Sequence, residues 1–594
     1  MPDTVAAPLT VAALPGFAAR RHPDRLAMRF KRDGAWHDRD YGQVAREVDR
    51  LAAGMVAHGV RPGDRICILA DTRPEWTIAA YAVWAAGGIV VPVYPTNAPE
   101  ECAWVAGDSG AVAVIVDSAA QLEKIAAVRE RLPALRSVLV TGGADIEPAG
   151  AARALEDVTG TAAEAGEAQR RCAAVAPADP ALIIYTSGTT GPPKGCTLSH
   201  RNAMSVCAIA LAVDVLLPDD LAYLYLPLAH VFAQIVQLAA FQVGAGVAYY
   251  GGDTKQIIPE LVEVRPAFLP SVPRIFEKLH ALAMAQVPPE EQDALRRAVQ
   301  VGMQVRALEA RGAGVPDELR KAYAPADERV FSRVRALFGG EIRECLTGAA
   351  PIAVEILEFF YAAGVPVMEA YGLTETMGIA TANLRSAFEF GTVGRPLPGV
   401  ELAIAPDGEI LVRGPQVFMG YWQDQAATRE VLDADGWLHT GDVGAVDDGG
   451  YLRVTGRKKD IIITAGGKNL APANVENDLK RSPFISQAVM YGDRRPYPVA
   501  LVTLDPDAVL PWARERGLPE DLAALARHPQ ARALVQQALD AANRRYAQVE
   551  QVKRFEILDH DLSEEAGELT PTLKVRRRVV YDRYADVFDA LYAS

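Results

Sequence analysis

From residue 43 onward, amphipathic helical stretches and short apolar strands take turns, and this alternation constrains the fold more than any other feature. Gln43 to His58 sets Val44, Val48, Leu51, Ala52, Met55 and Val56 on one helical face, and Gly59 follows where a helix would stop. Behind the Pro62-Gly63-Asp64 turn, Arg65 to Ala70 reads as a strand. Further strands are expected at Ile89 to Val93, Ala111 to Val116, Ser137 to Thr141 and Ala181 to Tyr185, with helices between them. Strands separated by helices pair in parallel and are covered on both faces, so the expected class is α/β.

With 594 residues, the chain is too long for one domain of roughly 150 residues. Two changes of texture mark its divisions. Pro288 to Phe338 is charged and rich in Ala, Arg, Glu and Leu, as expected of a helical insertion. After Gly391 come short strands with glycine turns, as in Gly408 to Gly414 and Asp448 to Val454, an antiparallel style. Beyond Gly456 strands and helices mix again. The expected organisation is a large N-terminal domain, 1–456, with mostly parallel, doubly covered sheets, a helical insertion near 288–338 and a β-rich part near 391–456. A small mobile α+β domain, 457–594, would follow.

Lys and Arg total 61 against 75 Asp and Glu, and the net charge of −14 argues against a nucleic-acid coat or a polybasic membrane clamp. Six cysteines lie far apart with no CxxC pair and no zinc spacing. The first basic residue is Arg20, so the charged head of a secretory signal is missing, and a cytoplasmic setting with reduced thiols is expected. Two stretches free of charge, Ile78 to Pro95 and Leu221 to Gly252, are long enough to compare with membrane spans. Gly87, Gly88 and Pro92 break the first into a helix turning into the strand Ile89 to Val93; Gly244, Gly246 and four polar side chains cut the second into a helix and a strand, Val247 to Tyr250. Peripheral membrane contact and oligomeric state are left open.

Tyr185-Thr186-Ser187-Gly188-Thr189-Thr190-Gly191-Pro192-Pro193-Lys194-Gly195 follows an apolar strand. Glycines let backbone N–H groups approach an anion, and the hydroxyls and the lysine supply donors and charge to phosphate oxygens. The segment reads as a phosphate loop, but not a Walker loop, because Lys194 is followed by Gly195 rather than Ser or Thr.

The loop resembles that of the adenylate-forming superfamily, which includes acyl-CoA synthetases, luciferases and the adenylation domains of peptide synthetases. Matching segments recur in order: Thr347-Gly348-Ala349-Ala350-Pro351, Tyr371-Gly372-Leu373-Thr374-Glu375-Thr376, Gly408 to Gly414, Gly420-Tyr421-Trp422, Trp437 to Asp442, Gly456 to Asp460 with Gly466 beyond, and Gly567 to Lys574. The likeness covers about residues 20 to 580.

The resemblance implies ATP-dependent activation of a carboxylate as an acyl-adenylate, followed by transfer to a thiol. It implies that Thr186 and Glu375 hold Mg2+, and that Ser187, Gly188, Thr189, Thr190, Gly191 and Lys194 surround the leaving phosphates. Gly348, Ala349 and Ala350 would lie beside adenine, and Tyr371, Gly372 and Thr374 would line the nucleotide site. Asp442 would accept from the ribose hydroxyls, and Arg457 would hold ribose or phosphate. Lys574 would stabilise the charge that develops between the α-phosphate and the substrate carboxylate. Lys459 matches the family's hinge position, and Gly466 would face the pantetheine channel of CoA.

The Val272 to Lys278 run, the helical insertion and the Leu-Thr-Pro-Thr-Leu-Lys ending resemble the long-chain fatty acyl-CoA synthetase branch. His230, Val231 and Gln234 match the acyl-pocket segment, with Gln234 where some long-chain members carry a tryptophan gate, and His230 would join Lys574, Glu375 and Thr186 as a catalytic residue. The expected substrates are a fatty acid, ATP and CoA, with no nucleic-acid partner. Transfer to a carrier protein, and a membrane lipid transporter with a vestigial nucleotide site, remain as alternatives.

Overall fold

The computed structural model describes residues 8–141, 152–186, 192–284, 287–465, 469–570 and 574–593. Two large sheets dominate the first part. In one, the strands Ile89–Val93, Arg65–Leu69, Ala113–Val116, Ser137–Val140 and Ala152–Ala154 run parallel, and Pro180–Thr186 joins them at Ile89–Val93. Lys194–Ser199 then returns antiparallel to Pro180–Thr186, and Gly420–Tyr421 closes that edge. In the other, Gly246–Tyr249, Leu221–Leu224, Phe268–Ser271, Glu344–Thr347 and Val367–Tyr371 are parallel neighbours. The α/β class read from the alternation is the class found.

Both charge-free stretches contribute strands to these sheets and a buried helix beside them. Helix Pro74–Ala85 is apolar all round because every side of it is covered, and strand Ile89–Val93 follows after the left-handed turn at Gly87. Residues 221–249 form a strand, Leu221–Leu224, the helix Val231–Val243 and the strand Gly246–Tyr249, with Gly244 in the left-handed conformation that ends the helix. The first of these strands was not expected. Among the described residues no helix is long and apolar enough to cross a membrane.

The stretch read as a helical insertion contains the helices Gln292–Ala310, Asp317–Ala326 and Ser332–Leu337. The glycine-turn region forms an antiparallel four-stranded sheet of Glu401–Ile404, Glu409–Arg413, Leu438–Val446 and Leu452–Arg457. From Ile462 on, the chain builds cores of its own around the strands Ile485–Tyr491, Val499–Leu504 and Arg554–Ile557.

Candidate functional site

The phosphate-loop strand ends at Thr186, whose register partner across the hairpin is Lys194. These two residues therefore stand at the base of the loop. Ser187, Gly188, Thr189, Thr190 and Gly191 lie outside the described residues. On the far side of Lys194–Ser199, Tyr421 holds its ring 5.3 Å from the Lys194 ammonium and donates its hydroxyl to Glu375 Oε1 at 2.8 Å. One tyrosine thus links the loop lysine to the acid of the Tyr371 to Thr376 segment. Sequence reading noted the Gly420-Tyr421-Trp422 motif but gave Tyr421 no role; the motif was the available signal. A backbone bond from Phe418 N to the Glu375 carbonyl, 2.9 Å, fixes the turn Thr374–Thr376 against the same edge.

Gly348, Ala349 and Ala350 follow the strand Glu344–Thr347, and Tyr371 ends the neighbouring strand Val367–Tyr371, so both loops leave the same end of the sheet. Ala349 takes φ of 68°, a left-handed conformation uncommon for a residue with a Cβ. Gly372 has no alternative: a Cβ there would lie 2.4 Å from the Gly378 carbonyl oxygen. Beside them, Asp442 is 4% exposed and has both carboxylate oxygens engaged. Tyr371 donates to Oδ2 at 2.8 Å and Arg457 Nε to Oδ1 at 2.8 Å, Arg457 being its strand-register partner. Tyr371, Asp442 and Arg457 form one cluster.

Lys574 comes from the last part of the chain. Thr570 N donates to the Lys574 carbonyl at 2.8 Å, the Thr570 hydroxyl accepts from Lys574 N at 3.0 Å, and Leu569 bridges Val575. Beneath it Glu568, fully buried, accepts from Arg583 and Tyr584, while Arg577 grips buried Glu476 with both guanidinium nitrogens. Lys574 keeps an exposed surface, yet neighbouring protein desolvates it. That desolvation, helped by the Arg457 guanidinium and opposed by Asp442, lowers its pKa to about 8.

His230 caps the helix Val231–Val243, its Nδ1 accepting from Phe232 N at 3.1 Å. The neutral ring therefore carries its proton on Nε2. Burial, and then the charge of Lys574, push the pKa down to about 3. The structure thus brings Lys574 into the electrostatic reach of His230 on one side and of Asp442 and Arg457 on the other.

Val231 is buried, and its methyl groups pack against Gly378 behind the Tyr371 to Thr376 turn. Gln234 takes a different course. It is fully buried, donates to the Leu228 carbonyl and accepts from Gln237 at 2.7 Å, and Gln237 in turn accepts from Thr77. This amide chain ties the helix to the core rather than to the cluster. Lys459 is exposed in the turn Lys458–Asp460, directly after the strand that ends at Arg457. Lys458 pairs with Asp407 at 2.6 Å and Glu409 at 2.9 Å, whereas Asp460 lies 3.8 Å from Arg577. Gly466 lies outside the described residues.

Residues 17–422 match the family model described as AMP-binding enzyme, and residues 459–594 match the AMP-binding enzyme C-terminal domain. The chain is 38% identical to the long-chain-fatty-acid–CoA ligase FadD15 of Mycobacterium bovis, over 99% of each chain, and 38% identical to FadD15 of Mycobacterium tuberculosis, also over 99% of each. Its fold is similar to that of the anthranilate CoA ligase AuaEII solved with anthranoyl-AMP, with a TM-score of 0.72 and 19% identity over 97% of this chain and 98% of that one.

Proposed function

The chain belongs to the AMP-binding enzyme family, and from that premise we propose that it is an AMP-forming long-chain fatty acid–CoA ligase. The observation that carries the mechanism is that Lys574 feels the charges of Arg457 and Asp442 and itself acts on His230, which makes the space they share the cleft in which the reaction would run. In this reading, residues 1–456 act as the adenylation domain and 457–594 as the mobile domain.

In the first half-reaction a fatty-acid carboxylate oxygen attacks the α-phosphorus of ATP, the bond to the β-phosphate oxygen breaks, and pyrophosphate leaves. Two anions must meet, so cations and oriented donors have to offset their repulsion. Lys574, charged below its pKa of about 8, supports the developing charge between carboxylate and α-phosphate. Asp442 accepts the ribose hydroxyls, Arg457 steadies ribose or phosphate, and Lys194 faces the leaving phosphates beside the loop. The Thr186 hydroxyl and the half-buried Glu375 carboxylate are hard oxygen donors of the kind Mg2+ takes together with phosphates, and Tyr421 orients that carboxylate. Magnesium bound there would supply positive charge to the phosphates.

In the second half-reaction the CoA sulfur attacks the acyl carbon, the carbon–oxygen bond to phosphate breaks, and AMP leaves. Lys574 has no further task, and rotation at Lys459 would withdraw it and bring the Gly466 segment to the pantetheine channel. His230 and Val231 stand at the mouth of the proposed acyl pocket, where a neutral imidazole avoids placing a second cation beside Lys574. All six cysteines are free thiols, which suits a cytoplasmic protein; cell fractionation would show whether it also rests on a membrane.

The test is thioester formation with Mg-ATP and CoA across straight-chain acids from acetate to stearate, counting AMP and pyrophosphate. A maximum at long chains supports the reading. Acyl-adenylate released without thioester, and consumed only by a carrier protein, would replace CoA as acceptor. No pyrophosphate with any acid would remove the ligase reading.

A further inference from the structure

The Val272 to Lys278 run, which in sequence marks only a branch of the family, opens the helix Pro273–Met284. Arg274 and Lys278 lie one turn apart on the same face. Both reach the head of the helix Pro506–Glu515 in the last part of the chain: Arg274 pairs with Asp505 Oδ2, and Lys278 Nζ with Asp507 Oδ2 at 3.0 Å. Asp505 is already oriented, because its Oδ1 caps its own helix by accepting from Asp507 N at 2.9 Å.

A second contact has the opposite polarity. Glu355, in the first turn of the helix Val354–Ala363, accepts from Arg481 at 2.8 Å and from Arg545 at 2.9 Å. Asp478 tethers both arginines through their other nitrogens, at 3.5 and 3.1 Å, and takes the Tyr546 hydroxyl at 2.6 Å. Each of these partly exposed pairs is weak by itself. Together they discriminate orientation: the adenylation domain offers cations at one contact and an anion at the other, so a rotated partner cannot match both.

We propose that this two-polarity clasp selects the orientation in which Lys574 enters the cleft, making Arg274, Lys278 and Glu355 positioning residues for adenylation but not for thioester formation. The proposal rests on the ligase reading above. It requires that an equilibrium between two orientations be biased by contacts present in only one of them. The same contacts must break before CoA can react, so loosening them should not slow acyl transfer.

The experiment separates the half-reactions in Arg274→Glu/Lys278→Glu and in Glu355→Lys. Fatty-acid-dependent ATP–pyrophosphate exchange should fall at least about tenfold, while transfer from supplied acyl-adenylate to CoA stays within about twofold of wild type or rises. In the Lys278→Glu background, Asp507→Lys should restore part of the exchange, which a general loss of folding would not allow. In the proteins without ligands, hydrogen exchange should rise across residues 273–284 and 505–515 in Arg274→Glu/Lys278→Glu and across 354–363 in Glu355→Lys, while the cores of both parts keep their protection. Unchanged exchange activity, or equal losses in both half-reactions, overturns the proposal. If the wild type itself shows no pyrophosphate exchange with any acid, the ligase reading fails, and unaltered amide protection in the variants overturns the clasp independently.

Discussion

Arg457 donates through Nε to Asp442 Oδ1 at 2.8 Å, and the two residues sit directly opposite each other in an antiparallel pair of strands. With Tyr371 on the other oxygen, the carboxylate is held in place, ready for the ribose contact proposed above. The orientation is built into the sheet and does not have to be assembled by the nucleotide.

Asp442→Asn should therefore weaken ATP use while leaving the fold intact. Hydrogen bonds to a charged group are worth about 1.5–3 kcal/mol, which predicts roughly a 10- to 100-fold loss of kcat/KM for ATP, mostly in KM. Pyrophosphate-exchange kinetics at varied ATP would check it.

The Lys574 pKa of about 8 gives a pH prediction with a definite sign. Its ammonium is lost as pH rises through that value, so kcat/KM for adenylation in the free enzyme should fall above about pH 8. Lys574→Arg should remove that break at a reduced rate, because guanidinium stays charged. Folding moves the other way. Between about 8 and the unfolded value near 10.4 the unfolded chain binds more protons, so the penalty of burying this ammonium fades as pH rises through that window.

His230→Ala and His230→Asn should separate capping from substrate effects. Alanine removes the acceptor for Phe232 N and should cost about 1 kcal/mol of stability, read by denaturant melts. Asparagine keeps an acceptor and should recover that stability, though not the kcat/KM for the fatty acid. With a pKa of about 3, His230 should add no break near pH 6.5 to the wild-type profile.

Gln234→Leu should act on stability through the buried amide chain, since the Leu228 carbonyl and the Gln237 amide each lose a partner. Buried groups left unsatisfied cost about 1–3 kcal/mol each. Urea unfolding should move well before the acyl chain-length profile does; a change in profile at unchanged stability would place Gln234 in the pocket wall instead.

Much of this arrangement is legible locally. Ile89–Val93 is apolar on both faces and bounded by glycine and proline, so its place in a covered parallel sheet follows from five residues. Thr186 and Lys194 are also local, because a hairpin brings them together. Gln234 shows where pattern stops: resemblance puts it in the acyl-pocket segment, but its burial depends on Gln237 and, through it, on Thr77, far away in the chain. The clasp was illegible for the same reason. Lys278 and Asp507 are 229 positions apart, and nothing in either segment announces a partner rather than a solvated charge.

The turn at Lys458–Asp460 has a mechanical consequence. Lys458 is moored to Glu409 of the four-stranded sheet and Asp460 lies against Arg577, so the chain passes between two separately built bodies with almost no slack. On the domain rotation proposed above, a joint this short would act as a pivot rather than a tether. The torsions around Lys459 would then set the swing, and an added residue there would convert a choice between defined orientations into a loose one.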